Sequence, residues 1–347
     1  MILKAYKYRI YPDAKASQQL AQHFGAVRFV YNTALDLRQR YYQQFAKGIS
    51  KRSVQDQFVA LKKTPEFDWL NTINSQAILA ALGHVHTAYQ NFFRGTTRHP
   101  KFKSRKSGWQ SFQAPQHVKV NFDMHCIQLP KIGWIKANLH RDFVGNIKTC
   151  TIKRNPAGHY YISVLVETPD ELPIKSEIHE ESTRGIDLGI KDFAIYDTGD
   201  KVANPRFLQI NLARLGIEQK KLSRRKKGSN RRDKQKRGVA RKYLSITNHR
   251  NNFLHQTSSA LLRDSQAETV ALEDLNLKGM IRNRKLSRHI ADVAWGRFVE
   301  MLRYKAEWSG KNILFCNRFA PSTKTCSCGA VNHNLTLSDR EWDCPEY

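Results

Sequence analysis

The chain opens with apolar and polar positions in alternation. Ile2, Leu3, Ala5, Tyr8 and Ile10 within residues 1–11 predict a strand that stops at Pro12. From about Ser17 the period becomes helical, with Leu20, Phe24, Val27, Tyr31 and Leu35 on one face. Val54, Phe58 and Leu61 mark a second, shorter helix. Ile78, Leu82, Val85, Tyr89 and Phe92 mark a third, capped by Asn74 or Ser75. Apolar stripes of this kind are core, so the three helices make a small unit inserted after the first strand. From Trp109 to about Val166 the pattern returns to short β-like runs, at residues 117–122, 126–137, 147–154 and 159–167. Interruptions by Gly, Pro and Asn suggest a small antiparallel barrel that the first strand could join.

Residues 168–182 hold two prolines and many acids and read as a linker. The chain then restarts at residues 184–197 with an apolar strand, a glycine turn and a second strand. A helix over 251–265, a strand over 268–272, a helix over 291–308 and a strand over 312–316 complete an α/β pattern. A length of 347 residues is consistent with two or three domains. No run approaches the 18 or more apolar residues of a membrane span, and the N-terminus lacks a signal-peptide pattern. The expectation is a cytosolic or nucleoid-associated protein.

Charge sharpens this picture. Fifty-eight Lys and Arg stand against 30 Asp and Glu, a formal net charge of +28. Self-repulsion on that scale destabilises a compact fold unless a polyanion offsets it. With no basic amphipathic anchor for a membrane, nucleic acid is the expected partner. Two segments concentrate the charge. Residues 94–106 carry six cations in 13 positions: Arg94, Arg98, Lys101, Lys103, Arg105 and Lys106. Residues 220–242 carry 13 cations in 23 positions, with Asp233 the one acid. Lys220, Lys221, Arg224, Arg225, Lys226, Lys227, Arg231 and Arg232 lead that run, and Gly228, Ser229 and Asn230 interrupt it. A solvated helix face is the bland reading; phosphate contact fits the density better.

Two acids sit where acids are costly. Asp187 lies inside the apolar strand at 185–190, and Glu273 follows the apolar run 269–272. Carboxylates brought together from separate strands can hold two Mg²⁺ ions about 4 Å apart for phosphodiester cleavage. Such a centre needs at least three acids, and the residues themselves nominate two. Of six cysteines, Cys326, Cys328 and Cys344 fall in the last 22 residues, which reads as a metal site or its remnant rather than disulfides.

Together, RGIDLGIKDFAIYD (184–197), LSRRKKGS (222–229), ALEDLNLKGM (271–280), the segment 291–310 and FAPSTKTCSCG (319–329) resemble TnpB. That family is the transposon-encoded RNA-guided nuclease related to the type V CRISPR effectors. GAVRFVYN (25–32), TAYQNFFR (87–94), HPKFKSRK (99–106) and LPKIGWIK (129–136) extend the likeness over nearly the whole chain. The resemblance implies an α+β multidomain fold. Its parts would be a β-barrel-like wedge domain (1–12 and 107–170), an inserted helical recognition domain (13–106) and a linker (171–183). A RuvC domain of RNase H fold would follow (184–347), with a zinc-knuckle remnant at 320–347. It also implies a guide RNA, one protein per guide, and double-stranded target DNA carrying a short flanking motif that the protein reads.

Carried over by motif, Asp187 and Glu273 match the first two RuvC acids. The family's knuckle has a CxxC pair, an LxLxxRxWxCxxC stretch, then a His-Asp-Arg-Asp segment supplying the third acid. Here Cys326 and Cys328 stand one residue closer, Leu335 to Cys344 matches the second stretch, and no fourth cysteine or third acid follows. Asp339 (beside Arg340), Asp343 and Asp292 are weak substitutes for that acid. Cys326, Cys328 and Cys344 with His333 could make a Cys₃His zinc site, although the tight first pair favours an empty remnant. By position in the family, Ser75, Gln76, Gln113 and Gln116 are candidates for reading the flanking motif, since Gln can pair bidentately with adenine. His84 and His86 read as helix-surface or RNA-facing groups.

The expectation is guide-directed DNA binding without cleavage, repressing transcription by occupancy, with functional Mg²⁺ not expected and Zn²⁺ open. The rivals are an active endonuclease supplied as a trimmed chain, and a general RNA-binding accessory protein of transposition. Transposition chemistry itself ranks last, because no strand-joining centre is apparent.

Overall fold

The computed structural model describes residues 1–263, 267–317, 324–326, 328–334 and 342–344. They divide into two compact units. One comprises residues 1–171 and 221–241, the other residues 172–220 and 242–347.

In the first unit, β1 (Ile2–Tyr11) is followed by α1 (Ala14–Phe45), α2 (Lys51–Leu61) and α3 (Ser75–Phe93). Six more strands come after: β2 (Gln110–Ala114), β3 (Lys119–Asn121), β4 (Cys126–Leu129), β5 (Gly133–Asn138), β6 (Asn146–Arg154) and β7 (Tyr160–Thr168). All pair antiparallel in the order β2-β6-β7-β1-β5-β4-β3. The first strand is therefore central to the later strands, as the alternation allowed. The order has two ends, and no β2–β3 pairing closes it into a barrel. On β7, Ile162, Val164, Val166 and Thr168 are buried in strict alternation, the pattern of a strand with one face on a core.

The helix α1 begins three residues before the apolar stripe suggests. Asp13 sets that start, its carboxylate accepting the Ala16 N–H at 2.7 Å. The start of α3 is capped by Asn74, whose side chain accepts from the Gln76 N–H; Ser75 is its first helical residue. A 3₁₀ segment, Pro65–Thr72, lies between α2 and α3 and buries Leu70; it carries no helical period and was not foreseen. One continuous core joins α1, α2 and α3 to the inner face of the sheet. Tyr8 lies wholly inside it and donates its hydroxyl to the Arg141 carbonyl at 2.6 Å; burial pushes its phenol up to about 12.

His23 joins two helices and the sheet. It is 2% exposed, and its ring lies 5.3 Å from that of Phe112. Nδ1–H donates to the Gln19 carbonyl at 2.8 Å, and Nε2 accepts the Asn74 backbone N–H at 3.2 Å. These bonds fix the neutral ring and one tautomer. A proton on Nε2 would face a second N–H.

The second unit restarts with β8 (Thr183–Asp187), β9 (Asp192–Tyr196) and β10 (Lys201–Ala203). It continues with α4 (Phe207–Ser223), α5 (Asn230–Arg263), β11 (Thr269–Glu273), the single turn α6 (Leu277–Met280), α7 (Ser287–Val293), α8 (Trp295–Ser309) and β12 (Asn312–Cys316). Residues 221–241 of α4, α5 and their connecting turn count with the first unit. The sheet order is β10-β9-β8-β11-β12, with β8–β10 an antiparallel meander and β11 parallel to both β8 and β12. Two expectations are corrected. The helix read as 251–265 begins at Asn230, because the basic run is itself helical. The helix read as 291–308 breaks at Ala294, which takes a left-handed φ of 59°. Among the described residues no helix is long and apolar enough to cross a membrane.

Burial lowers the His23 pKa below its ordinary value of 6.5, against the Gln19 bond that raises it. The neutral form is thus favoured in the fold. Its contribution to stability is complete above the ordinary value and is lost as pH falls through 6.5 towards the lower folded value. Melting temperature should fall as pH drops below about 6.5. His84, His86 and His159 shift the same way and leave a residual slope. His23→Gln should flatten the thermal pH profile; an unchanged slope would remove His23 from the account.

Candidate carboxylate site, cysteine cluster and basic surfaces

The register of β8 on β11 aligns Thr183 with Thr269 and Ile186 with Leu272. One step further along both strands come Asp187 and Glu273. Aligned residues of parallel neighbours point to the same face, and neighbouring strands run about 4.8 Å apart. Ile186 and Leu272 are buried, while Asp187 and Glu273 are exposed on the opposite face. The two acids thus stand side by side at the carboxyl ends of parallel strands, where α/β sheets place their ligands. Like charges this close repel, and a cation between them offsets the repulsion. Gly189 keeps the following turn tight: a Cβ there would lie 2.8 Å from the Asp192 carbonyl oxygen. The pairing of β11 with β12 adds exposed Cys316 beside Glu273, a neighbour that only the strand register reveals.

Two other acids of this unit have structural work. Asp292, on α7, accepts the Leu208 N–H through both oxygens at 3.1 and 2.9 Å and the Gln209 N–H at 3.4 Å. It also pairs with Arg250 at 2.6 Å and is 9% exposed. These are the orphan amides of the first turn of α4, so Asp292 is a helix cap tied to α5. Asp197 accepts from the Gly185 and Thr198 N–H groups and pairs with Arg184. Burial works to raise its pKa, but those donors outweigh it and hold the carboxyl below the usual range. Asp339 and Arg340 lie outside the described residues.

The thiols of Cys326, Cys328 and Cys344 lie within 4.8 Å of one another, with the Cys328 and Cys344 sulfurs 3.6 Å apart. A tetrahedral zinc with Zn–S bonds of about 2.3 Å separates its sulfurs by roughly 3.8 Å, so the three fit three corners of such a site. The close spacing of Cys326 and Cys328 is accommodated by a turn. The Cys326 N–H donates to the Ala330 carbonyl at 2.8 Å, the Gly329 N–H donates to the Cys326 carbonyl at 2.9 Å, and Thr325 bridges Val331. Bound there, zinc would act as a structural staple. His333 does not join the thiols; its carbonyl accepts from Lys324 at 3.2 Å. Asp343 precedes Cys344 in chain and belongs to no metal-binding group among the described residues. No disulfide involves any of the six cysteines.

The basic segments form two exposed surfaces. Residues 94–106 are an extended loop held to α1 by Asn32, which donates to the Lys103 carbonyl at 3.0 Å and accepts its N–H at 2.8 Å. Arg94, Arg98, Lys101, Lys103, Arg105 and Lys106 are all exposed. Arg224, Arg225, Lys226 and Lys227 occupy the turn between α4 and α5, also exposed, as is Arg231. Lys220 and Lys221 lie in the last turn of α4. Arg232 differs: its guanidinium donates to the Leu222 and Arg225 carbonyls at 2.7 and 2.8 Å and caps α4. Both bonds leave from one terminal nitrogen of the guanidinium, so Arg232 serves the fold through that nitrogen.

Among the four candidates for motif reading, Ser75 and Gln76 begin α3, and Gln113 lies on β2, which packs against α3. Gln116 is exposed in the loop after β2. The Gln113 carbonyl oxygen is engaged by His84 Nε2 at 3.1 Å. That contact uses one of the two lone pairs of the amide oxygen, so Gln113 keeps its NH₂ donors and one acceptor position. No hydrogen bond joins the four to one another.

Three family profiles match the chain: "Probable transposase" (OrfB_IS605) over residues 162–284, "Helix-turn-helix domain" (HTH_OrfB_IS605) over 1–47, and "Cas12f1-like, TNB domain" over 295–347. Residues 1–47 here fold as β1 and α1. A Streptomyces pristinaespiralis protein named "Putative RNA-guided DNA endonuclease" is 35% identical over 353 residues, covering 99% of this chain and 85% of its own. A similarly named Escherichia coli K12 protein, InsQ, is 28% identical over 357 residues, covering 99% and 87%. Among solved structures, a Cas12f1–sgRNA–target DNA complex shares the fold at a TM-score of 0.57 and 13% identity, covering 99% of this chain and 96% of that one.

Two outcomes are expected. Asp292→Ala leaves Arg250 and two helix amides without their acceptor and should lower stability by about 3 kcal/mol in urea unfolding; a loss below about 1 kcal/mol would contradict the capping role. Co²⁺ added to the reduced chain should give a thiolate charge-transfer band in the near ultraviolet, weakened at least tenfold in affinity by Cys344→Ser. Unchanged spectra in that variant would exclude the three-thiol site.

Proposed function

The chain belongs to the TnpB family, the OrfB proteins of IS605-type elements, and we propose that it binds DNA under the direction of a guide RNA without cutting it. Its relatives carry the name of RNA-guided DNA endonucleases, and the fold is that of a protein solved with guide RNA and target DNA. The sheet order β10-β9-β8-β11-β12, three antiparallel strands followed by two parallel ones, supports a RuvC-type RNase H reading of the second unit. The curled sheet and helices of the first unit would serve as wedge and recognition domains.

The observation that carries the absence of cutting is the placement of Asp292. Asp187 and Glu273 align as the first two RuvC acids would. Asp292, one of the substitutes for the third, holds the start of α4 instead. Two carboxylates cannot clamp both metals of an in-line displacement. Binding remains, because exposed Lys and Arg release counterions from the phosphates they contact and base pairing with the guide supplies sequence. An R-loop held at a promoter would exclude polymerase by occupancy, so the protein would act as a transcriptional repressor.

An endonuclease reading is favoured by the relatives' names. A single experiment separates it from silent binding. The 347-residue chain is purified with its co-expressed RNA and given matched duplex DNA bearing the flanking motif in Mg²⁺. Guide-dependent retention of intact DNA is expected, and cleavage that disappears in Asp187→Ala would overturn the proposal. Heterogeneous co-purified RNA with no DNA preference would point to an accessory RNA-binding protein instead. Replacing Arg224, Arg225, Lys226 and Lys227 together with Ala should lower the slope of log affinity against log salt by about 3.

A further inference from the structure

The C-terminal half of α1 and the end of α3 enclose a cavity of 460 Å³, within the usual range of small-ligand sites. Its walls are aromatic and amide-bearing. Tyr42 and Phe93 are 62% and 78% exposed and so leave most of each ring open to solvent. Tyr89 and Phe93 are stacked with ring centroids 6.1 Å apart, and His99 meets the Tyr89 ring edge-on at 5.6 Å. The side chains of Gln39 and Gln43 line the same space and make no hydrogen bond among the described residues.

Arg38 supplies a second, independent pointer. Its guanidinium is half-buried, 5.4 Å from the Tyr89 ring centroid and 3.5 Å from His86 Nδ1, and no carboxylate pairs with it. A half-buried cation without a carboxylate is a poor structural element and a good ligand group. It stacks on π-faces and donates to carbonyl and phosphate oxygens. The loop 94–106, with its six exposed cations, leaves the end of α3 directly beside the cavity.

We propose that this cavity receives one unstacked base of an RNA strand whose phosphates run along residues 94–106. Tyr42 and Phe93 provide the stacking faces. Gln39 and Gln43 address the base edge, and Arg38 stacks on the base or meets a carbonyl oxygen. RNA is the occupant because recognition of single-stranded RNA works by splaying bases from loops onto aromatic and guanidinium planes, whereas duplex DNA keeps its bases stacked. The inference rests on the RNA-binding part of the proposed function.

The probe is a 12-nucleotide single-stranded adenosine RNA with one 2-aminopurine, bound to the full chain. The wild type should quench the fluorophore. Tyr42→Ala with Phe93→Ala should bind about tenfold more weakly, with quenching lost and the salt slope unchanged, because a base contact releases no counterions. Tyr42→Leu with Phe93→Leu keeps apolar volume without the π-faces and should behave alike, which guards against a folding defect in the Ala pair. Unaltered affinity and quenching in both variants would overturn the pocket. So would a loss that flattens the salt slope, an equal loss for the matching DNA probe, or a wild-type dimer that both variants dissolve. Capture of guide-matched duplex is read in parallel on the wild type. Capture with unaffected variants sinks the pocket alone; probe binding without capture sinks the guided-binding reading alone.

Discussion

The parallel pairing of β8 with β11 is the constraint on which the functional reading depends. Register at Ile186 and Leu272 buries two apolar side chains and, one position later, exposes two carboxylates on the opposite face. The hydrophobic pattern fixes this pairing, since a slip of one residue would turn Ile186 and Leu272 to solvent and bury Asp187 and Glu273. The same force that builds the core therefore places like charges next to each other. Such a pair is costly without a cation, and its position at the carboxyl edge is where phosphate chemistry would meet it.

Around that pair, two further acids of the unit serve its structure. Asp292 neutralises Arg250 and closes the first turn of α4, and Asp197 ties Arg184 to two backbone amides. The cations, by contrast, are left largely in solvent, concentrated in the loop 94–106 and the turn between α4 and α5. Such exposed cations are the groups that phosphate contact would use.

Much of the scaffold was legible because its signals are local. The alternation of β1 and β7 and the periodicity of α1 and α3 follow from burial of one face. Elements that bury little leave a weaker mark on the sequence. In α4 only Leu215 is buried, so no stripe announces it, and the first turns of α5 are too basic to look like anything but a charge run. Ala294 breaks a helix that the apolar spacing makes continuous, because its left-handed φ leaves no trace in composition. At the candidate site, the acids could be nominated from sequence, but their adjacency could not, since strand register is set by long-range pairing. Arg232 and Gln113 read as ligand groups by residue type, yet the fold uses one to cap α4 and engages the other with His84. Spacing argued against a zinc site at Cys326 and Cys328, whereas the turn around Gly329 brings both thiols to Cys344.

The most direct test of the account is the state of Mn²⁺ at Asp187 and Glu273 in the RNA-loaded chain with DNA bound. Electron paramagnetic resonance distinguishes isolated ions from a coupled pair about 4 Å apart. The account predicts isolated Mn²⁺ only. A spin-coupled pair that vanishes in Asp187→Ala would contradict it.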